Sequence, residues 1–140
     1  MLKTTLLHPE ILRALGRAGH GSQVLIADGN YPFSTGSPAA AEKVYLNLKP
    51  GMVTVTDVLE TLVESIPIEA ATVMVPDDRT DQPIFTEFRQ ILPKQLDLTK
   101  IGRFDFYDRA RSSDTALLIA TGEQRIYANL LLTIGVRAPK

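Results

Sequence analysis

The sequence predicts an α/β fold: one domain over residues 1–140 with a mixed, largely parallel sheet flanked by helices. Three observations predict it. Short, continuously apolar runs at residues 24–27, 70–75 and 116–121 fit strands buried on both faces. Stretches with apolar residues at helical spacing alternate with these runs, the order expected of strands laid beside one another with helices packed across them. Gly, Pro or Asp punctuates the boundaries between them, where the chain has to turn.

Each element can be justified in order. His8-Pro9-Glu10 reads as a helix start, with Pro9 at the first helical position, where its missing N–H costs nothing, and Glu10 facing the positive end of the helix. Ile11, Leu12, Leu15 and Ala18 share one face before Gly16 and Gly19 loosen the end, so this helix packs on the sheet and delivers His20. The first strand, residues 24–27, runs into Asp28-Gly29, a turn signal, and then Pro32. Residues 31–41, rich in Pro, Gly, Ser and Thr, have no periodicity and read as a surface loop.

Val44, Leu46 and Leu48 alternate with Tyr45, Asn47 and Lys49, a weak pattern for an edge or interface strand that Pro50-Gly51 ends. Thr54 and Asp57 form a capping box with Asp in place of Glu, and Val58, Leu59, Leu62, Val63 and Ile66 follow at helical spacing until Pro67. The strand at residues 70–75 ends at Pro76-Asp77-Asp78, whose adjacent carboxylates read as solvated turn residues. Asp81-Gln82-Pro83 opens another helix with Phe85, Phe88, Ile91 and Leu92 on its buried side. Ile101, Phe104 and Phe106, alternating with Arg103, Asp105 and Tyr107, predict a strand that runs into a short helix at residues 108–111. Residues 116–121 form a third buried strand ahead of Gly122-Glu123, and residues 130–134 form the last.

Composition narrows the function. With 15 basic and 16 acidic side chains the formal charge is -1, so no electrostatic footprint points to nucleic acid or to an anionic membrane. The absence of cysteine excludes disulfides, thiolate nucleophiles and Cys-based zinc sites, and is compatible with a reducing cytosol. The first nine residues lack the apolar core of a signal peptide, and no stretch approaches the ~20 apolar residues of a membrane span. A soluble, cytoplasmic protein that binds a neutral small molecule fits this balance.

The chain contains no GxGxxG, GxxxxGK[ST], GxSxG or HExxH pattern, which leaves nucleotide binding, a hydrolase elbow and a zincin helix without support. Open α/β sheets place ligands beyond the carboxyl ends of their strands, which gathers Asp28 with the loops after residues 75 and 121. What remains is a constellation of His20, Asp28, Arg103, Tyr127 and Asn129, with proton donors and acceptors but no prepared nucleophile and no metal cage. By residue type alone the commoner reading of His20 is a surface residue, and that of Asp28 a turn former.

Taken together, Gly19-His20, Asp28-Gly29-Asn30-Tyr31-Pro32, Arg103-Phe104-Asp105-Phe106-Tyr107-Asp108-Arg109-Ala110, Thr121-Gly122-Glu123 and Tyr127-Ala128-Asn129 resemble the D-ribose pyranase and L-fucose mutarotase family. Each motif is weak alone; their order and spacing across almost the whole chain are specific. The resemblance implies a cofactor-independent isomerase that interconverts ring forms of a free monosaccharide. It implies that His20 is the proton donor, that Asp28 and Arg103 bind substrate, and that Tyr127, Ala128 and Asn129 complete the binding set. It also implies a homo-oligomer, commonly a decameric ring, with sites near subunit contacts.

Arg103 in an Arg-Phe-x-Phe-Tyr-x-Arg-Ala context, together with Asp28-x-Asn30-Tyr31-Pro32, is similar to the L-fucose branch, whereas the D-ribose branch tends to carry His at the position of Arg103. Ala128 stands where that branch usually has Gly, and its added methyl would shift the sugar if backbone groups there touch the ligand. Ring opening of a hemiacetal needs a proton delivered to the ring oxygen and one removed from the anomeric hydroxyl. His20 is the expected general acid, with Tyr127 or an ordered water assisting proton removal, Asp28 and Arg103 holding hydroxyls and Asn129 fixing the pose. The rival readings of the same residues are a D-ribose pyranase acting on pyranose and furanose forms, and a non-catalytic monosaccharide-binding or transport-accessory protein.

Overall fold

The computed structural model describes residues 1–140 and contains six strands and four helices in the order α1 (Pro9–Arg17), β1 (Gln23–Ala27), β2 (Glu42–Tyr45), α2 (Val55–Val63), β3 (Ile68–Val75), α3 (Pro83–Ile91), β4 (Leu98–Gly102), α4 (Arg103–Ala110), β5 (Thr115–Ala120) and β6 (Leu130–Ile134). The strands make one sheet ordered β2-β5-β1-β6-β3-β4. Strand β1 pairs parallel with β5, as β2 does with β5 and β3 with β4. Only β6 runs the other way, antiparallel to both β1 and β3. The mixed, largely parallel sheet expected from the sequence is therefore present, and the weak alternation around Val44 marks its edge strand.

Strand alternation sorts the core into two layers. Val24 and Ile26 of β1 join Ile11, Leu59, Leu62, Phe85 and Phe88 on the face covered by α1, α2 and α3. Leu25 and Ala27 point the other way, onto Tyr31, Phe106 and Ala110 from the loop after β1 and from α4. Because each strand of the middle is covered on both faces, its sequence has to be a continuous apolar run, which is why β1, β3 and β5 were legible. Helix α2 starts where the capping box predicts: the Thr54 Oγ1 accepts the Asp57 N–H at 3.2 Å and the Asp57 carboxylate accepts the Thr54 N–H at 2.9 Å.

One element departs from expectation. The alternation of Phe104 and Phe106 predicted a strand, yet β4 ends at Gly102 and Arg103 is already helical. Only Phe106 and Ala110 are buried, one helical turn apart, while Phe104 is 74% exposed. Two aromatic residues two apart imitate a strand face when only one of them is core. This shift sets Arg103 at the head of α4, directly beyond the carboxyl end of β4. No helix is long and apolar enough to cross a membrane.

Candidate active site

The parallel strands end, and the antiparallel β6 begins, along one edge of the sheet. This brings the residues just after β1, at the head of α4 and just before β6 together, although they are up to a hundred positions apart in sequence. Asp28 follows β1 and is only 3% exposed. Its backbone N–H donates to the Asn129 Oδ1 at 2.8 Å, and the Asn129 Nδ2 donates back to the Asp28 Oδ2 at 3.0 Å. The amide of Asn129 is thus oriented by its own two bonds, and the remaining Asp28 oxygen accepts the Asn30 N–H at 3.0 Å. Burial pushes the Asp28 carboxyl above its ordinary value; the backbone N–H groups of Asn30, Ala128 and Tyr31 oppose that rise, and the charge on Glu123 adds to it.

The segment at residues 121–129 is tied down at several points. The Thr121 Oγ1 donates to the Ala27 carbonyl at 2.7 Å, and the Gly29 N–H donates to the Glu123 carbonyl at 2.8 Å. A Cβ at Gly29 would stand 2.9 Å from that carbonyl, so the close approach of the two segments requires glycine. The buried Glu123 carboxylate accepts the Val55 N–H at the head of α2, the Arg125 N–H, and two bonds from the Arg125 guanidinium at 2.9 and 2.8 Å. Arg125 also reaches Glu87 on α3 at 2.7 Å. Burial would raise the Glu123 carboxyl, but the Arg125 bonds and charge outweigh it and hold the group below its usual value. Within this clamped segment Tyr127 takes a left-handed backbone, φ +58°, a conformation that costs a bulky residue on the order of 1–3 kcal/mol and points to a held, functional turn.

Asp28, Arg103, Tyr127 and Asn129 line one open depression of about 420 Å³, large enough for a monosaccharide. Asn30, Tyr31, Met74, Tyr107 and Ile126 complete its walls. The Arg103 guanidinium lies 5.5 Å from the Tyr107 ring centre and 5.6 Å from that of Phe104; its Nε–H donates to the Tyr107 hydroxyl at 3.4 Å, and with no carboxylate partner its terminal N–H groups are left for a ligand. Burial pushes the Tyr31 phenol well up, and its hydroxyl donates to the Gly36 carbonyl at 2.7 Å, so it shapes the pocket as a neutral donor.

Two sequence-predicted site residues do not line the depression. His20 precedes β1 and Asp28 follows it, so the strand puts about 17 Å or more between them. Within one chain His20 does not join the depression; it sits at the opposite edge of the sheet, 2.9 Å from Glu69. Ala128 is adjacent to the site but fully buried, and it packs into the helix-covered core layer rather than into the depression. Its methyl points into the core while its backbone N–H lies at the Asp28 carboxyl. Tyr107, Met74 and Ile126 were not singled out from sequence as site residues. Tyr107 had a signal, a ring one helical turn from Arg103, while Met74 reads as core because it belongs to a buried strand.

The sequence matches the family described as the RbsD / FucU transport protein family over residues 1–137. It is 35% identical to the fucose mutarotase of Bos taurus, with 96% of this chain and 92% of the bovine protein aligned. Its backbone is similar to that of the fucose mutarotase from Streptococcus pneumoniae in complex with L-fucose, with TM-score 0.81, 24% identity, and 99% of this chain and 100% of that one covered. It is also similar to Bacillus subtilis RbsD complexed with D-ribose, with TM-score 0.79, 24% identity and the same coverage. These two structures support the fold, and the match over nearly the full length supports the family: the chain belongs to the RbsD / FucU transport protein family.

Proposed function

We propose that this chain is a sugar mutarotase that interconverts the α and β anomers of free L-fucose. The observation that carries the reading is the depression that the desolvated Asp28 carboxylate, bonded to Asn129, lines together with Arg103, whose guanidinium has no carboxylate partner, in a chain 35% identical to a fucose mutarotase. Asp28 and Arg103 offer acceptors and donors to sugar hydroxyls, and Met74 and Ile126 offer an apolar wall to the methyl carbon of a 6-deoxy sugar. D-ribose, bound by one of the similar structures, has no such methyl, which favours the fucose reading.

The chemistry needs only proton transfer. Protonated His20 gives its proton to the ring oxygen as the bond from that oxygen to the anomeric carbon breaks, its electron pair staying on the oxygen. An ordered water takes the proton of the anomeric hydroxyl, directly or through the Tyr127 hydroxyl, which accepts that proton as it passes its own to the water, and the electron pair of the anomeric oxygen closes the carbonyl. Rotation of the open aldehyde and reversal of the same steps give either anomer. General acid–base catalysis of this kind supplies ~10²–10⁴-fold, enough for a reaction whose uncatalysed rate is already appreciable.

Since His20 lies at the far edge of its own sheet, the reading requires His20 from a second copy. A homo-oligomer, in the family's manner a decameric ring, supplies it, and the exposed apolar side chains of Tyr45, Leu48, Met52 and Phe104 suit such contacts. A cytoplasmic location fits the lack of cysteine. Exchange NMR between the anomeric protons of L-fucose, with D-ribose and D-galactose in parallel, tests the function. Acceleration of L-fucose exchange that is lost in a folded His20→Ala variant supports it. Saturable binding without acceleration would establish a sugar-binding protein instead, and acceleration of D-ribose alone would assign the other branch.

A further inference from the structure

The edge of the sheet that carries His20 is constructed in a way the reaction scheme above does not use. Strand β6 lies between β1 and β3, so His20, just ahead of β1, and Glu69, second residue of β3, stand on strands about 10 Å apart. Their side chains nevertheless meet, the Glu69 Oε2 lying 2.9 Å from the His20 Nε2. They meet across the end of β6, at Gly135. A Cβ on Gly135 would come within 3.2 Å of the Glu69 Cβ and 3.6 Å of its Oε2, so the missing side chain leaves the gap through which Glu69 reaches.

The backbone fixes both partners to that gap. The Gly21 N–H donates to the Ile134 carbonyl at 2.9 Å, the Ile134 N–H donates to the Ser22 carbonyl at 2.9 Å, and the Gly135 N–H donates to the Pro67 carbonyl at 2.8 Å. His20 itself sits between Gly19 and Gly21, the latter at φ +84°, so its flanking residues bring no side chains that would hold the ring. Orientation of the imidazole falls to Glu69.

We propose that Glu69 is the positioning residue for His20. Its carboxylate can only accept, so the bond places a proton on Nε2 and leaves Nδ1 as the nitrogen that exchanges a proton with the sugar. This rests on the reading of His20 as the proton donor. The acid form donates from Nδ1–H to the ring oxygen and returns to the neutral Nε2–H tautomer, still held by Glu69, so neither the ring nor the carboxylate has to move between the two half-reactions.

Nitrogen-15 NMR of the imidazoles tests it directly, since the chain has 2 histidines and a His8→Gln background leaves His20 alone. The expected result is a neutral His20 protonated at Nε2 in the parent protein and in Glu69→Gln, whose amide oxygen still accepts, and a mixture of tautomers in Glu69→Ala. In the L-fucose exchange assay kcat should fall about tenfold in Glu69→Ala with KM nearly unchanged, and recover most of the way in Glu69→Gln. Gly135→Ala, which closes the gap without touching either partner's chemistry, should reproduce the Glu69→Ala tautomer mixture. An unchanged tautomer and unchanged kcat in Glu69→Ala would overturn the inference while an inactive His20→Ala left the mutarotase reading standing. A fully active His20→Ala would instead overturn that reading.

Discussion

Asp28 shows what a single buried carboxylate costs and provides. Its desolvation favours the neutral acid, and the three backbone N–H groups at its oxygens only partly restore the charged form. As its folded value lies above the unfolded one, ionisation of the carboxyl weakens stability as pH rises through that interval, and under the proposed function the charge serves binding rather than folding. A sugar hydroxyl donates best to the ionised form. Affinity for L-fucose should therefore fall as pH drops through the raised Asp28 value. Sugar titrations paired with carbon-13 NMR of the Asp28 carboxyl check this; a carboxyl that titrates at or below its ordinary value, with pH-independent affinity, would contradict it. Residue identity alone could not reveal this, because an Asp before Gly is most often a turn former. What distinguishes Asp28 is Asn129, a hundred residues away in sequence, and only the pairing of β1 with β6 brings them together.

At the scale of elements, the clamp of Glu123 and Arg125 holds the segment before β6 to α2, to α3 and to the exit of β1. Removal of the Glu123 carboxylate leaves a buried Val55 N–H without its acceptor and Arg125 without its partner, so Glu123→Ala should cost about 3 kcal/mol in chemical denaturation. The sign of its pH dependence is the reverse of that for Asp28. The folded value is held below the unfolded one, so the stabilisation is present above the ordinary carboxylate value and is lost as pH falls through the lowered one. The stability gap between the parent protein and Glu123→Gln should narrow in acid, and a gap independent of pH would count against the ion pair. Helix α2 offers a smaller test: Thr54→Ala removes the acceptor for the Asp57 N–H and should cost about 1 kcal/mol.

Elements were legible to the degree that burial was two-sided or a cap was explicit. Strands β1, β3 and β5 and the start of α2 stand out for those reasons. Helix α4 did not, because Phe104 imitates a core residue while pointing at solvent. The Thr121-Gly122-Glu123 motif was visible, but its clamp was not, since the partners of Glu123 come from α2 and from Arg125 by way of the folded loop.

On the scale of the whole molecule, the sheet separates residues that the sequence suggests belong to one site. The depression at one end of the strands is lined by Asp28, Arg103, Tyr127 and Asn129. The other end carries His20 with Glu69. Strand β1 joins them and keeps them apart, so under the proposed reading, with His20 as proton donor, the site is completed by His20 of a second copy. The most direct test of this account mixes two variants, His20→Ala and Asp28→Ala, each expected to be folded and inactive in L-fucose anomer exchange. After subunit exchange, verified by native mass spectrometry, an equal mixture should regain about a quarter of the parent activity, the fraction of sites that draw an intact Asp28 from one copy and an intact His20 from another. A mixture that exchanges subunits and stays inactive would contradict the claim that the site is shared.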